Sequence, residues 1–139
     1  MINKEHKYTM LAGKMIGCSI TVHPALSNGF QEVIYQRALV IEMANLHILF
    51  SREHEMPIYY RGQHIGTRRV DFLVGAAVSV ELKAIMQLED IHLAQAINYL
   101  EAFNLEVGLL INFGARSLQL KRVTNKNFKQ KKPGNPKIP

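Results

Sequence analysis

Two short apolar runs, Val70-Asp71-Phe72-Leu73-Val74 and Val78-Ser79-Val80-Glu81-Leu82-Lys83, stand on either side of Gly75-Ala76-Ala77. Runs this short, rich in Val, Leu and Phe and separated by small residues, read as the strands Arg69–Val74 and Val78–Leu82 of an antiparallel hairpin with a loop of about three residues. The polar members are the informative ones. Glu81 and Lys83 are two apart and share a strand face. Asp71 and Glu81 are equidistant from Ala76, so a turn centred there sets them opposite each other on one face, their Cβ atoms about 5 Å apart. Two carboxylates that close repel unless something positive lies between them. A hard cation taking oxygen ligands fills that role, and Mg²⁺ suits two carboxylates plus waters and a phosphate. A two-residue turn would instead put Asp71 and Glu81 on opposite faces and remove the site.

Working outward, Glu89-Asp90 opens a helix reaching Phe103, with Leu93, Ile97 and Leu100 as its apolar stripe and two carboxylates complementing the helix dipole. Val107–Asn112 and Leu118–Val123 follow as strands, the first apolar enough to be central. Upstream, Ile48–Arg52 and Pro57–Arg61 read as two strands, and Arg61-Gly62-Gln63 as a turn. Leu11, Met15, Cys18 and Val22 give a helix over Tyr8–Val22, which His23-Pro24 should stop. After the turn Ser27-Asn28-Gly29, a second helix runs over Phe30–Asn45. Ile34, Ala38 and Ile41 lie on one face and Tyr35, Leu39 and Met43 beside it, so burial on more than one side is expected. The order predicts an α/β fold of mixed α+β character, helices packed on one mixed sheet.

The 139 residues suit a single domain, taken as 1–123, and 47% hydrophobic content provides its core. Of the 17 basic residues, eight lie in 116–139 without one acidic residue, leaving nine against eleven for 1–115. The basic character therefore belongs to the end of the chain. Residues 124–139, rich in Lys, Asn and Pro, are expected to form a disordered tail able to attract polyphosphate. A lone Cys18 excludes a disulfide framework and a Cys-rich zinc site, and the histidines show no ligand spacing. No run is long enough to span a bilayer and no signal-peptide pattern is present, so a cytoplasmic setting is expected.

Lys83 beside the two acids can stabilise charge on phosphate oxygens, and a cation there can polarise a phosphoryl group, which together are parts for phosphodiester hydrolysis. Glu32 and Tyr35 share a face of the second helix at i, i+3, and Gln95 and Tyr99 one of the third at i, i+4. Arg68 and Arg69 precede Asp71; a surface place is the expectation for Arg68 and a salt bridge for Arg69.

The stretch Gly29-Phe30-Gln31-Glu32-Val33-Ile34-Tyr35 resembles the pattern that names the GxxExxY proteins, a branch of the PD-(D/E)xK nuclease superfamily. The likeness covers roughly residues 10–123. It takes in Val22-His23, the Asp71 strand, Glu81-Leu82-Lys83, Gln95 through Tyr99, and Gly108 through Phe113. It implies a restriction-endonuclease-like core, a mixed four-stranded sheet flanked by helices. It also implies that Asp71, Glu81 and the Leu82 carbonyl hold Mg²⁺ or Mn²⁺, that Glu32 completes the site and that Lys83 is catalytic. Gln95 and Tyr99 would support the site or substrate, with His23 and Tyr35 nearby in support. Ser27-Asn28 stands where Gly-Pro is common in the family. The activity expected is hydrolysis of nucleic acid, DNA before RNA. The alternatives are a catalytically idle nucleic-acid binder using the basic end, and a partner-binding protein whose carboxylates pair with Lys83 and Arg69. A homodimer bracketing a duplex is left open.

Overall fold

The computed structural model describes residues 4–130. The elements are α1 (Lys4–Leu26), α2 (Glu32–Asn45), β1 (Phe50–Tyr60), β2 (Gln63–Val74), β3 (Val78–Lys83), α3 (Asp90–Ala102), β4 (Val107–Asn112) and β5 (Gln119–Thr124). They build one five-stranded sheet in the order β1-β2-β3-β4-β5. Only β3 and β4 run parallel, joined by the α3 crossover; the other neighbours are antiparallel. This is the mixed sheet flanked by helices that the sequence predicts, with one strand more than the four that the resemblance implies.

Alternation along β3 and β4 explains the layering. Val78, Val80, Leu82, Val107, Leu109 and Ile111 pack against Met15, Cys18 and Val22 of α1 and Tyr35, Leu39 and Met43 of α2. The opposite face meets α3 through Ala96, Tyr99, Leu100 and Phe103. Gly108 faces that side, where an added Cβ would lie 2.4 Å from the Ser79 hydroxyl and 3.3 Å from Leu100. The Ser79 side chain on the neighbouring strand occupies the space a Cβ would need, so glycine is required there.

Several expectations are corrected. Helix α1 continues through Pro24 to Leu26, because a proline two residues from a helix end forfeits one backbone hydrogen bond rather than breaking the element. Ile41 is mostly exposed and α2 buries a single stripe, Tyr35, Leu39 and Met43, together with Gln36. In α3 the buried face is Ala96, Tyr99 and Leu100, while Ile97 lies at the surface.

The largest difference is at β1, one eleven-residue strand where the sequence suggests two. With β2 it forms a ribbon far longer than β3, whose pairing with β2 covers Phe72 to Val74. The ribbon's middle is braced on α3 by Met56, Ile58 and Val70 against Tyr99 and Phe103. A register shift falls between Ile58 and Tyr59, and the hairpin closes at Tyr60↔Gln63 with Arg61 (φ 49) and Gly62 (φ 76) both left-handed. Such a two-residue turn matches ribbon twist, but an arginine at its first position costs on the order of 1 kcal/mol relative to glycine.

The chain after β5 remains tied to the domain. Asn125 is buried and donates to the Leu100 and Leu105 carbonyls, and Asn104 exchanges hydrogen bonds with the Lys129 backbone. Residues 131–139, the rest of the expected disordered tail, lie outside the described residues. Among the described residues, no helix is long and apolar enough to cross a membrane.

Candidate active site

The β2–β3 turn does centre on Ala76. Its register, Phe72↔Val80, Leu73↔Ser79 and Val74↔Val78, continued by one position sets Asp71 against Glu81. Both carboxylates line one pocket of about 640 Å³ together with Lys83 and Leu82 of β3, Glu32 and Gln36 of α2, and Gln95 of α3. With Glu53 of β1 also in its lining, residues from five elements meet where the ribbon leaves the sheet.

Asp71 is held from both sides. Its Oδ2 accepts from the Leu82 N–H at 2.8 Å, and its Oδ1 from Gln36 Nε2 at 2.9 Å. Gln36 has no choice of orientation, because its Oε1 accepts from Arg52 Nε at 2.9 Å. Sequence reasoning missed Gln36, although it stands one helical turn after Glu32 and must share that residue's face. Glu81 is buried, and its Oε1 accepts from Arg68 Nη2 at 3.0 Å. The guanidinium also lies 5.5 Å over the Tyr99 ring and donates to the Gln95 carbonyl at 3.4 Å. Arg68, expected at the surface, is therefore a pocket residue. Arg69 has the expected salt bridges, to Glu53 at 3.6 Å and Glu55 at 4.0 Å.

The remaining candidates are placed differently. Tyr99 is fully buried beneath Arg68, and its hydroxyl has no hydrogen-bond partner among the described residues. Tyr35 does not line the pocket: it stacks on Phe113 at 4.8 Å, and its hydroxyl donates to the Ser27 carbonyl and accepts from the Phe30 N–H. It fixes the turn that delivers Glu32 to the start of α2. His23 is also outside the pocket, its Nε2 3.0 Å from the Ala115 carbonyl.

The loop after Lys83 is clamped by Asn112. This buried side chain accepts from the Ile85 and Gly114 N–H groups and donates to the Ile85 carbonyl and to Gln119 Oε1, all within 3.0 Å. Gln119 Oε1 accepts in turn from the Leu88 N–H. Every capacity of the Asn112 amide is used.

Burial pushes the carboxyls of Asp71 and Glu81 above their ordinary values; backbone and Gln36 hydrogen bonds oppose this at Asp71, and Arg68 opposes it at Glu81. Burial, then the Asp71 charge, raises Glu32 to about 7, with Lys83 pulling the other way. A carboxyl whose folded pKa exceeds its unfolded one favours folding while protonated. That contribution is full below about 4.5 and is lost as pH rises through about 7. Glu32→Gln should therefore melt above the parent at pH 8 in chelator, and the gap should close toward pH 5. Thermal melts across that range measure it, and a pH-independent gap would refute the shift.

The donor chemistry fits a divalent cation. Buried Glu81 and half-buried Asp71 face one pocket with Glu32 and Glu53, burial and neighbouring charge opposing ionisation of Glu32, Asp71 and Glu81, and the orphaned Tyr99 hydroxyl feels the Glu81 charge. Among the described residues no three His, Cys, Asp or Glu side chains already form a cage.

Comparison with known proteins gives two findings. The crystal structure of SSO0001 is similar in fold, with a TM-score of 0.55 at 18% identity, covering 87% of this chain and 59% of that one. The chain thus spans less than two thirds of the length of that relative. Among curated proteins none matches the sequence. A family profile described as the PD-(D/E)XK nuclease superfamily matches residues 9–123, from α1 into β5 and across every pocket residue. The chain belongs to the PD-(D/E)XK nuclease superfamily.

Proposed function

We propose that the protein is a Mg²⁺- or Mn²⁺-dependent nuclease that hydrolyses phosphodiester bonds in DNA, of the GxxExxY branch by its Gly29, Glu32 and Tyr35. The observation that carries this reading is the convergence of Glu32, Asp71, Glu81 and Lys83 on one pocket. Asp71 and Glu81, with the Leu82 carbonyl, would hold the cation, and Glu32 would complete the donor set. When bound, the ion supplies Lewis acidity toward a phosphoryl oxygen and acidifies water. Lys83 places a positive charge where phosphate oxygens gain negative charge during attack. Gln36 and the Leu82 N–H hold the Asp71 carboxylate in one orientation. Gln95, exposed at the rim, is set to touch substrate, and Tyr99 braces Arg68 from below.

The test is incubation of purified protein with linear and branched DNA and with RNA, in Mg²⁺, Mn²⁺ or chelator. Metal-dependent cleavage abolished by Lys83→Ala supports the reading. Cleavage surviving both Asp71→Ala and Lys83→Ala would belong to a contaminant and overturn it.

A second reading, a fold that binds nucleic acid without cutting it, draws on the Arg68–Glu81 ion pair, which already neutralises one acid. The two readings part at Arg68→Ala. If Glu81 is a metal ligand, freeing it should tighten Mn²⁺ binding about fivefold, the ~1 kcal/mol of a partly exposed ion pair. Calorimetry showing no divalent binding by either protein would favour the idle fold.

A further inference from the structure

We propose that the β1–β2 ribbon beyond Ile58 is a second nucleic-acid contact, an arm that enters a groove of duplex DNA away from the pocket. The inference rests on the nucleic-acid reading of the pocket and adds where the substrate lies.

The ribbon tip combines cations with exposed aromatic and apolar side chains. From Met56 to Val70 the chain carries Arg61, Arg68 and Arg69 and no carboxylate. Tyr59, Tyr60 and Ile65 are exposed there, at 38%, 60% and 64%. The Arg61 guanidinium lies 5.6 Å from the Tyr60 ring centre, and Tyr59 meets His64 edge-on at 5.8 Å. Bracing by α3 ends at Ile58, and among the described residues Tyr59, Tyr60 and Ile65 belong to no hydrophobic core cluster. Arg61 also occupies a left-handed turn position where Asn or Gly would sit without strain. Departure from local preference at an exposed cationic residue is expected where the side chain has work outside the fold.

Charge and continuity select the occupant. Arg68 and Arg69 lie on the strand that continues to the tip, but they are paired with Glu81 and with Glu53 and Glu55, so the charge the tip offers is that of Arg61. A two-stranded ribbon fits the major groove of B-DNA, and arginine and tyrosine are suited to its phosphates and base edges. Nine residues of β-structure separate Asp71 from Gly62, roughly 30 Å at the usual rise per residue. For a duplex lying along the ribbon, with about 3.4 Å per base pair, the tip meets DNA about eight or nine pairs from the pocket.

The experiment measures equilibrium binding by fluorescence anisotropy in chelator, so that no cleavage intervenes. Wild type, Arg61→Asn and the double variant Tyr60→Ala/Arg61→Ala are titrated with 24-pair and 8-pair duplexes and a 24-nucleotide single strand. The expected result is about a tenfold loss for the double variant on the 24-pair duplex, with little loss on the 8-pair one. The salt slope should fall by about one with Arg61→Asn, while its melting temperature stays level or rises. Equal losses on both duplexes, no loss on the longer one, or a loss confined to the single strand overturns the arm. So does a fall in sedimenting mass without change in DNA affinity, which would make the tip a contact between copies of the chain. If wild type binds no nucleic acid at all, it is the pocket reading that has failed.

Discussion

Asp71→Asn should reduce metal-dependent cleavage on the order of 10³-fold or more, a larger effect than its near-isosteric geometry suggests. The substitution removes the charge that would hold the cation. It also replaces an acceptor by a donor where donors already converge. Leu82 N–H and Gln36 Nε2 both point at this carboxylate, so the new amide must aim its NH₂ at one of them. Gln36 cannot invert to relieve the clash, because its oxygen is engaged by Arg52. Divalent binding by calorimetry should weaken in parallel with cleavage. Cleavage within tenfold of wild type would mean that Asp71 is not in the reacting site.

Asn112→Ala should destabilise the fold by about 3–5 kcal/mol, among the largest effects of any single truncation here. Four hydrogen bonds vanish, and the half-buried Ile85 and Gly114 N–H groups lose their partner. The loop cannot simply close over the gap, since an added Cβ at Gly114 already lies 2.3 Å from the Ile85 nitrogen. Asn112→Asp keeps both acceptor contacts but turns an oxygen toward the Ile85 carbonyl and Gln119 Oε1, so it should rescue little. Urea unfolding of the three proteins gives the values. A loss below about 1 kcal/mol for the alanine variant would show that water replaces the amide. Because the clamped loop begins directly after Lys83, any folded fraction of these variants should also cleave poorly.

Much of this architecture is legible from residue order alone, and the reasons are specific. Val107–Asn112 shows its exact bounds because all six residues are buried, giving an unbroken apolar run. The Asp71–Glu81 hairpin is legible because strand period and turn length leave one register. The ribbon misleads for the converse reason. Beyond the sheet it has solvent on much of its surface, so Glu53-His54-Glu55-Met56 looks like a loop between two strands. Arg68 is unreadable without the fold: its pairing with Glu81 joins residues thirteen apart through the β2–β3 turn, and α3 supplies the Tyr99 ring beneath it. The Tyr35 motif residue shows a further limit, since short-range spacing cannot say which side of a helix meets the core. Gln36, its neighbour, touches Asp71 instead.

The outer strand β1 has a consequence for colloidal behaviour. An edge strand eleven residues long is ordinarily a template on which further chains polymerise edge to edge. Here that margin carries Pro57, which offers no amide hydrogen, a left-handed kink at Glu53, a bulge at Ile58/Tyr59 and the charges of Arg52, Glu53 and Glu55. The opposite margin, β5, exposes Lys121 and Arg122. Neither border offers the flat, uncharged ladder from which amyloid-like stacking grows, so the protein can carry a long projecting hairpin without seeding its own aggregation.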